Sequence, residues 1–295
     1  MNKLIAIVGP TSSGKTGLSI KLAKKFNGEV VSADSRQVYK GMDIGSGKAT
    51  KKEMENIPHY LLDVASPKER FDVVQYQKLA IEAINKVHKK NKLPLLVGGT
   101  GFYIQAIIDG IIIPEVKPDW QLRKKLEKET TEKLFKRLKK LDPQRAKTIE
   151  RKNRRRLIRA LEIVIKTKSP VPLLKKVKPQ FEILILGIKK PFPELKKLIE
   201  KRLLERLEKG MIKEVKKLRK SGVSWKRLEE FGLEYRYTAF YLQRKMDYQE
   251  MTKKLQKEIE HYAKRQMTWF KRDKRIHWIK AYQEAEKFTK TFLEK

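Results

Sequence analysis

The chain has 295 residues, 40 % of them hydrophobic, enough to bury a substantial core and to divide into a main domain and a smaller one. Lysine and arginine total 71 against 35 acidic residues, a formal net charge of +36 that implies a polyanionic partner or a lysine-rich proteome. The complete lack of cysteine excludes disulfides, zinc–thiolate sites and cysteine nucleophiles, and suits the reducing cytosol.

The first apolar run, Leu4-Ile5-Ala6-Ile7-Val8, stops at a glycine. It is too short for a signal peptide or membrane span and reads as a buried strand, so a cytoplasmic protein with no membrane contact is expected. Leu18, Leu22 and Phe26 recur at helical spacing after it, and Val30–Ala33 and Leu93–Val97 read as further strands. Strand–helix–strand order predicts a parallel α/β sheet for residues 1–113.

The segment 114–180 differs in kind. It carries 23 basic against 8 acidic residues, and prolines bracket it at Pro114, Pro118, Pro170, Pro172 and Pro179. Leu122, Leu126, Leu134, Leu138 and Leu141 fit one helical stripe, and Leu157, Leu161 and Val164 or Ile165 fit another. Phe181–Ile188 then reads as a strand returning to the sheet, with mostly helix beyond it. Leu195, Leu198, Ile199, Leu203 and Leu207 share a face up to Gly210. The expected architecture is a parallel-sheet α/β core, residues 1–113 and 181–295, with a basic helical insertion at 114–180.

Gly9-Pro10-Thr11-Ser12-Ser13-Gly14-Lys15-Thr16 matches the P-loop pattern in full, after a strand and before a helix. Its glycines let backbone N–H groups approach phosphate oxygens, Lys15 supplies a positive charge, and the Thr16 hydroxyl can ligate Mg²⁺. By itself the loop names a phosphate and not its owner, so ATP fits as well as any diphosphate.

Two other loops reach the same carboxyl edge of a parallel sheet, where ligands bind. The second strand ends at Asp34, which can be a general base, an Mg²⁺ ligand or a helix cap. The third ends at Gly98-Gly99-Thr100-Gly101, where three glycines permit close backbone approach to a ligand. The run Arg151-Lys152-Asn153-Arg154-Arg155-Arg156, followed by Arg159, reads as a phosphate-binding surface for nucleic acid or as a solvated helix face. Four scattered histidines show no metal-ligand spacing.

Taken together, these motifs resemble the tRNA dimethylallyltransferases, or tRNA isopentenyltransferases, of the bacterial type. The resemblance rests on the P-loop, on Asp34-Ser35-Arg36-Gln37-Val38-Tyr39-Lys40-Gly41-Met42-Asp43-Ile44-Gly45 and on Leu96-Val97-Gly98-Gly99-Thr100. Arg159-Ala160-Leu161-Glu162 and Ala263-Lys264-Arg265-Gln266-Met267-Thr268-Trp269-Phe270 continue it in family order. It implies transfer of a dimethylallyl group from dimethylallyl diphosphate, with Mg²⁺, to the adenosine 3′ of the anticodon in tRNAs reading codons that begin with U. It also implies an insertion that grips the anticodon stem, in an enzyme expected to be a monomer.

Carried over by position, Gly9 to Thr16 would hold the diphosphate, with Thr16 on the metal, Asp34 would be the general base and Arg202 would steady the leaving charge. Asp34, Ser35, Arg36, Gln37, Thr100, Arg123, Arg155, Arg156, Leu157, Ile158 and Arg159 would touch tRNA. Three departures from the family pattern stand out: Lys152-Asn153 for Asn-Asp, Glu234-Tyr235-Arg236 for Gly-Tyr-Lys or Gly-Tyr-Arg, and Ile259-Glu260 for Thr-Arg.

Overall fold

A computed structural model describes residues 2–295 apart from Glu115, Leu174 and Lys178. Two compact units emerge, residues 1–110 with 178–295, and residues 111–177. The first unit begins β1 (Lys3–Val8), α1 (Lys15–Lys25), β2 (Gly28–Ser32), a short α2 (Lys51–Met54) and β3 (His59–Tyr60). It continues with α3 (Val73–Lys89), β4 (Leu93–Gly98) and α4 (Gly101–Ile108). The second unit runs β5 (Ile111–Ile112), α5 (Trp120–Leu126), α6 (Thr131–Leu141), α7 (Pro143–Thr148), α8 (Arg154–Thr167) and β6 (Lys175–Lys176). Back in the first unit come β7 (Glu182–Ile188), α9 (Phe192–Glu208), α10 (Met211–Lys220) and α11 (Trp225–Phe231). The chain finishes with α12 (Leu233–Leu242), α13 (Tyr248–Phe270), β8 (Ile276–Ile279) and α14 (Tyr282–Glu294).

Six strands form one parallel sheet in the order β3-β2-β4-β1-β7-β8. Leu4 to Val8 in β1 are wholly buried, as a central strand covered on both faces requires. On one face, Leu4, Ala6 and Val8 join a core with Tyr76, Ala80 and Ile84 of α3 and Ile104 of α4. On the other, Ile5 and Ile7 pack with Leu22 of α1 and Ala285 of α14. Register sets the working edge: Val8 pairs with Gly98, and Ser32 with Val97. The chain therefore leaves β1, β2 and β4 at one level, which brings the P-loop, Asp34 and the Gly98–Gly101 turn together.

The second unit is helical around Leu126, Leu134, Leu138, Leu157 and Leu161. Its five-leucine stripe is two helices, not one, because Thr130 caps α6 by accepting from the Lys133 N–H. Leu141, at the last turn, is 47 % exposed and outside that core. The antiparallel pair β5–β6, with Ile111 opposite Lys176, closes the unit, which starts and ends ahead of the positions that the prolines suggest. Strands β3 and β8 were not expected from the sequence. Among the described residues no helix is long and apolar enough to cross a membrane.

Candidate active site

The P-loop adopts its conformation because three residues take positive φ, Gly9 at 152°, Ser12 at 61° and Gly14 at 96°. A Cβ on Gly14 would meet nothing within 4 Å, so the glycine serves backbone geometry and not space. Helix α1 starts at Lys15, and Leu18 N–H donates to the Gly14 carbonyl at 3.1 Å. Lys15 folds back over the loop, its Nζ donating to the carbonyls of Gly9 (3.0 Å) and Pro10 (2.7 Å). Burial pulls the Lys15 ammonium down to about 8; Asp34 nearby opposes the shift, and Arg202 adds to it. The Ser13 hydroxyl is buried and has no hydrogen-bond partner among the described residues. Thr16 lies exposed at the head of α1.

A cavity of about 390 Å³ opens above this loop, lined by Thr11 to Thr16, Asp34, Gly98, Gly99, Arg202, Arg206, Tyr262 and Gln266, with Val30, Leu62 and Val97 as apolar lining. Asp34 divides its two oxygens. Oδ1 accepts from the backbone N–H of Arg36 (2.8 Å) and Gln37 (3.3 Å), which makes it the cap of the turn after β2. Oδ2 has no hydrogen bond among the described residues. The cap and the chemical role are thus compatible in one side chain.

Helix α9 supplies two guanidinium groups one turn apart. Arg206 donates from Nη1 to Glu234 Oε1 at 2.8 Å and to the Gly45 carbonyl at 3.3 Å. Arg202 has no hydrogen bond or ion pair among the described residues, and burial, with Arg206 beside it, draws it down to about 10. Burial pushes the Glu234 carboxyl up, and the Arg206 charge opposes that.

At the Gly98–Gly101 turn the side-chain space is taken by protein, while the backbone of Gly98 and Gly99 still borders the cavity. A Cβ on Gly98 would sit 2.1 Å from the Ala33 carbonyl oxygen, one on Gly99 2.2 Å from Gln266 Nε2, and one on Gly101 2.3 Å from the Trp269 ring. Thr100 is likewise engaged, its Oγ1 accepting the Ser35 N–H at 3.0 Å. Arg36 donates to the Phe231 carbonyl at 2.7 Å, and Gln37 bridges Ser32 Oγ and the Gly47 carbonyl. Ser35, Arg36, Gln37 and Thr100 are all tied to neighbours, and the Arg36 and Gln37 amides hold Asp34.

In the second unit the run from Arg155 to Arg159 splits by helical phase. Leu157 and Ile158 point into the core, at 0 % and 6 % exposure, so they hold α8 and do not present themselves to RNA. Arg155 and Arg156 are exposed. Arg123 and Arg159 converge on Glu162, which is fully buried; Arg123 reaches it through Nε (2.8 Å) and Nη2 (2.7 Å), Arg159 through Nη1, and Asp119 N–H adds a fourth bond at 2.6 Å. Burial alone would raise the Glu162 carboxyl, but Arg123, Arg159 and the Asp119 amide hold it low.

Two residues that sequence reasoning gave no role complete the site. Gln266 on α13 accepts the Thr11 N–H through Oε1 and donates through Nε2 to the Gly99 carbonyl, both at 2.8 Å. It clamps the P-loop to the end of β4, and its only sequence signal was the Ala263–Phe270 motif. Glu214 on α10 accepts three consecutive backbone N–H groups, from Asp43 (2.9 Å), Ile44 (2.6 Å) and Gly45 (3.0 Å), together with the Tyr235 hydroxyl at 2.9 Å. It shapes the loop against which Arg206 lies.

The chain matches the IPP transferase family model over residues 37–273; the P-loop and Asp34 lie just before that span. It is 40 % identical to the tRNA dimethylallyltransferase of Acetivibrio thermocellus, covering 95 % of this chain and 92 % of that protein. Identity to the tRNA dimethylallyltransferase of Halothermothrix orenii is also 40 %, over 98 % and 93 %. The solved full-length tRNA isopentenylpyrophosphate transferase from Bacillus halodurans superposes with a TM-score of 0.76 at 36 % identity, covering 100 % of this chain and 97 % of that one. A eukaryotic dimethylallyltransferase acting on tRNA gives a TM-score of 0.74 at 28 % identity, over 91 % and 70 %.

Proposed function

This chain belongs to the IPP transferase family, that of the tRNA dimethylallyltransferases, and from that premise we propose that it transfers a dimethylallyl group from dimethylallyl diphosphate to the exocyclic amine of an adenosine in tRNA. One observation carries the reading. A P-loop, an unpaired guanidinium at Arg202 and a carboxylate oxygen at Asp34 without a partner share a single cavity. The first two suit a diphosphate; the third suits an amine that must lose a proton.

The adenine amine is a weak nucleophile, because its lone pair is delocalised into the ring. It needs close placement and a base as the new C–N bond forms. Asp34 Oδ2 takes that proton while Oδ1 stays on the turn amides, so the carboxylate keeps its aim. As the allylic C–O bond breaks, charge gathers on the diphosphate. Loop amides, Lys15 and Arg202 stabilise it where it develops. The Ser13 hydroxyl finds its partner in a phosphate oxygen, and Lys15 leaves its loop carbonyls to do the same. Val30, Leu62 and Val97 suit the five-carbon tail.

Mg²⁺ fits the oxygen donors at the head of α1: Thr16 would hold it alongside the diphosphate and water, and it would neutralise leaving-group charge. The target adenosine is the one 3′ of the anticodon in tRNAs reading codons that begin with U. It must leave its stack to reach the cavity. Residues 111–177 grip the anticodon stem through exposed Arg155 and Arg156. A tRNA substrate supports a cytoplasmic enzyme.

The test is incubation with unmodified tRNA, labelled dimethylallyl diphosphate and Mg²⁺. Label should appear on tRNA with the wild type and not with Asp34→Asn, which keeps the turn cap and loses the base. Phosphoryl transfer from ATP to a small metabolite, or prenylation of free nucleotide only, would overturn the reading. Replacing Arg154, Arg155 and Arg156 with Ala should weaken tRNA binding and flatten its salt dependence, with donor binding intact.

A further inference from the structure

Arg206 lines the cavity yet is already neutralised. Its guanidinium lies 2.8 Å from Glu234, with the two side chains only 13 % and 12 % exposed. A Cβ on Gly47 would fall 2.1 Å from Arg206 Nη2, so the guanidinium lies flat against the 45–47 backbone. Glu214 and Tyr235 fix that backbone through the hydrogen bonds described above, and Glu234 precedes Tyr235 at the start of α12. One turn earlier on α9, Arg202 carries the same charge with no hydrogen bond or ion pair among the described residues, although Glu53 and Glu205 also line the cavity and act on it at longer range. Two guanidinium groups therefore face one cavity, and of the two only Arg206 is held in a direct ion pair among the described residues.

We propose that Glu234 sets the affinity of the diphosphate site by competing with the anion for Arg206. The inference rests on the donor-site reading above. With both guanidinium groups and Lys15 unpaired, the site would hold the released pyrophosphate even more firmly than the donor, since the product carries more charge. Retained product then limits turnover. By occupying Arg206, Glu234 leaves Lys15, Arg202 and the loop amides to hold the donor and lets the product go. Arg206 is held in place by the Gly45 carbonyl and by Gly47 as well, so it stays at the cavity when Glu234 is neutralised.

The experiment titrates inorganic pyrophosphate, with Mg²⁺, into the full chain by calorimetry, beside steady-state kinetics with tRNA. Glu234→Gln should tighten pyrophosphate binding roughly tenfold, the scale of one added charge at a partly solvated site, while lowering both the donor KM and kcat. Arg206→Met placed in the Glu234→Gln background should abolish that gain, and because this variant neutralises both members of the pair it leaves neither charge without the other to compromise folding. Glu234→Asp, which keeps the charge, should gain less than Glu234→Gln. Unchanged or weaker pyrophosphate binding in a folded Glu234→Gln protein would overturn the proposal. So would a gain that persists in the double variant, or a tenfold loss in the double variant relative to wild type. Wild-type protein that binds no pyrophosphate would remove the donor-site reading and this inference together.

Discussion

Replacing Gln266 by Leu removes two hydrogen bonds at once and keeps most of the side-chain volume. The Thr11 N–H and the Gly99 carbonyl, each held at 2.8 Å, lose their partner beside a residue that is 6 % exposed. Each orphaned backbone group costs about 1–3 kcal/mol when no water replaces the bond. The Thr11 amide borders the cavity, where water can reach it, and leucine adds apolar burial, so a net loss of about 2–4 kcal/mol is expected. The functional loss should exceed what stability alone predicts, because the freed segment is the phosphate loop itself. Urea denaturation followed by tryptophan fluorescence gives the first quantity; Trp225, Trp269 and Trp278 lie in the main unit. Pyrophosphate titration gives the second, with at least a tenfold weakening expected, or about 1.4 kcal/mol. Gln266→Glu should be worse still, since an oxygen would then face the Gly99 carbonyl. A Leu variant that loses under about 0.5 kcal/mol and binds pyrophosphate normally would show that Gln266 does not organise the loop.

Arg202→Leu should weaken pyrophosphate binding at least tenfold without lowering the unfolding midpoint, since it removes a cation that lacks a partner; unchanged affinity would exclude Arg202 from the anion site. Lys15 titrates from about 8 in the folded chain, so pyrophosphate affinity should fall as pH rises through that value, and calorimetry at pH 8–9 in buffers of different ionisation heat should reveal proton uptake on binding. The stability effect has the opposite sense: the unfolded chain holds this proton up to about 10.5, so the cost of burying the Lys15 charge is relieved between about 8 and 10.5 as pH rises. Glu162→Gln should destabilise the 111–177 unit by about 3–5 kcal/mol, because Arg123 and Arg159 lose a fully buried partner, and limited proteolysis within that unit would report it. Glu162 is held below the usual carboxylate range, so its stabilisation is full above about pH 4.3 and is lost as acid protonates it further down; a unit equally stable at pH 3 would contradict this.

What could be read from the chain was what sequence carries locally. The P-loop sits in eight consecutive residues between a buried strand and a helix, and the parallel core followed from apolar runs at Leu4, Val30 and Leu93. Strand β8, Ile276–Ile279, escaped because His277 and Trp278 interrupt a four-residue run that no periodicity can identify. The long-range braces were invisible for a simpler reason. Gln266 meets Thr11 across 255 positions and Glu214 meets Asp43 across 171, and no local pattern encodes such a meeting. Glycine crowding at Gly98–Gly101 was legible, but the identity of the crowding atoms was not. Within Arg155–Arg159 the helical period itself separates Leu157 and Ile158 from the arginines, and attention to phase would have divided them.

The strand order has a consequence for how the protein is made. β1 bears the P-loop and lies between β4 and β7, with Lys3 opposite Glu182. A ribosome delivers β4 early, but β7 follows only after the whole 111–177 unit, and β8 later still. Until then the nascent main unit carries β1, apolar from Leu4 to Val8, as an edge strand, the kind most open to pairing with another chain. A fragment ending near residue 180 should therefore aggregate despite containing the entire phosphate loop. The insertion, a compact unit of 67 residues with a core of its own, can close on itself while that edge waits.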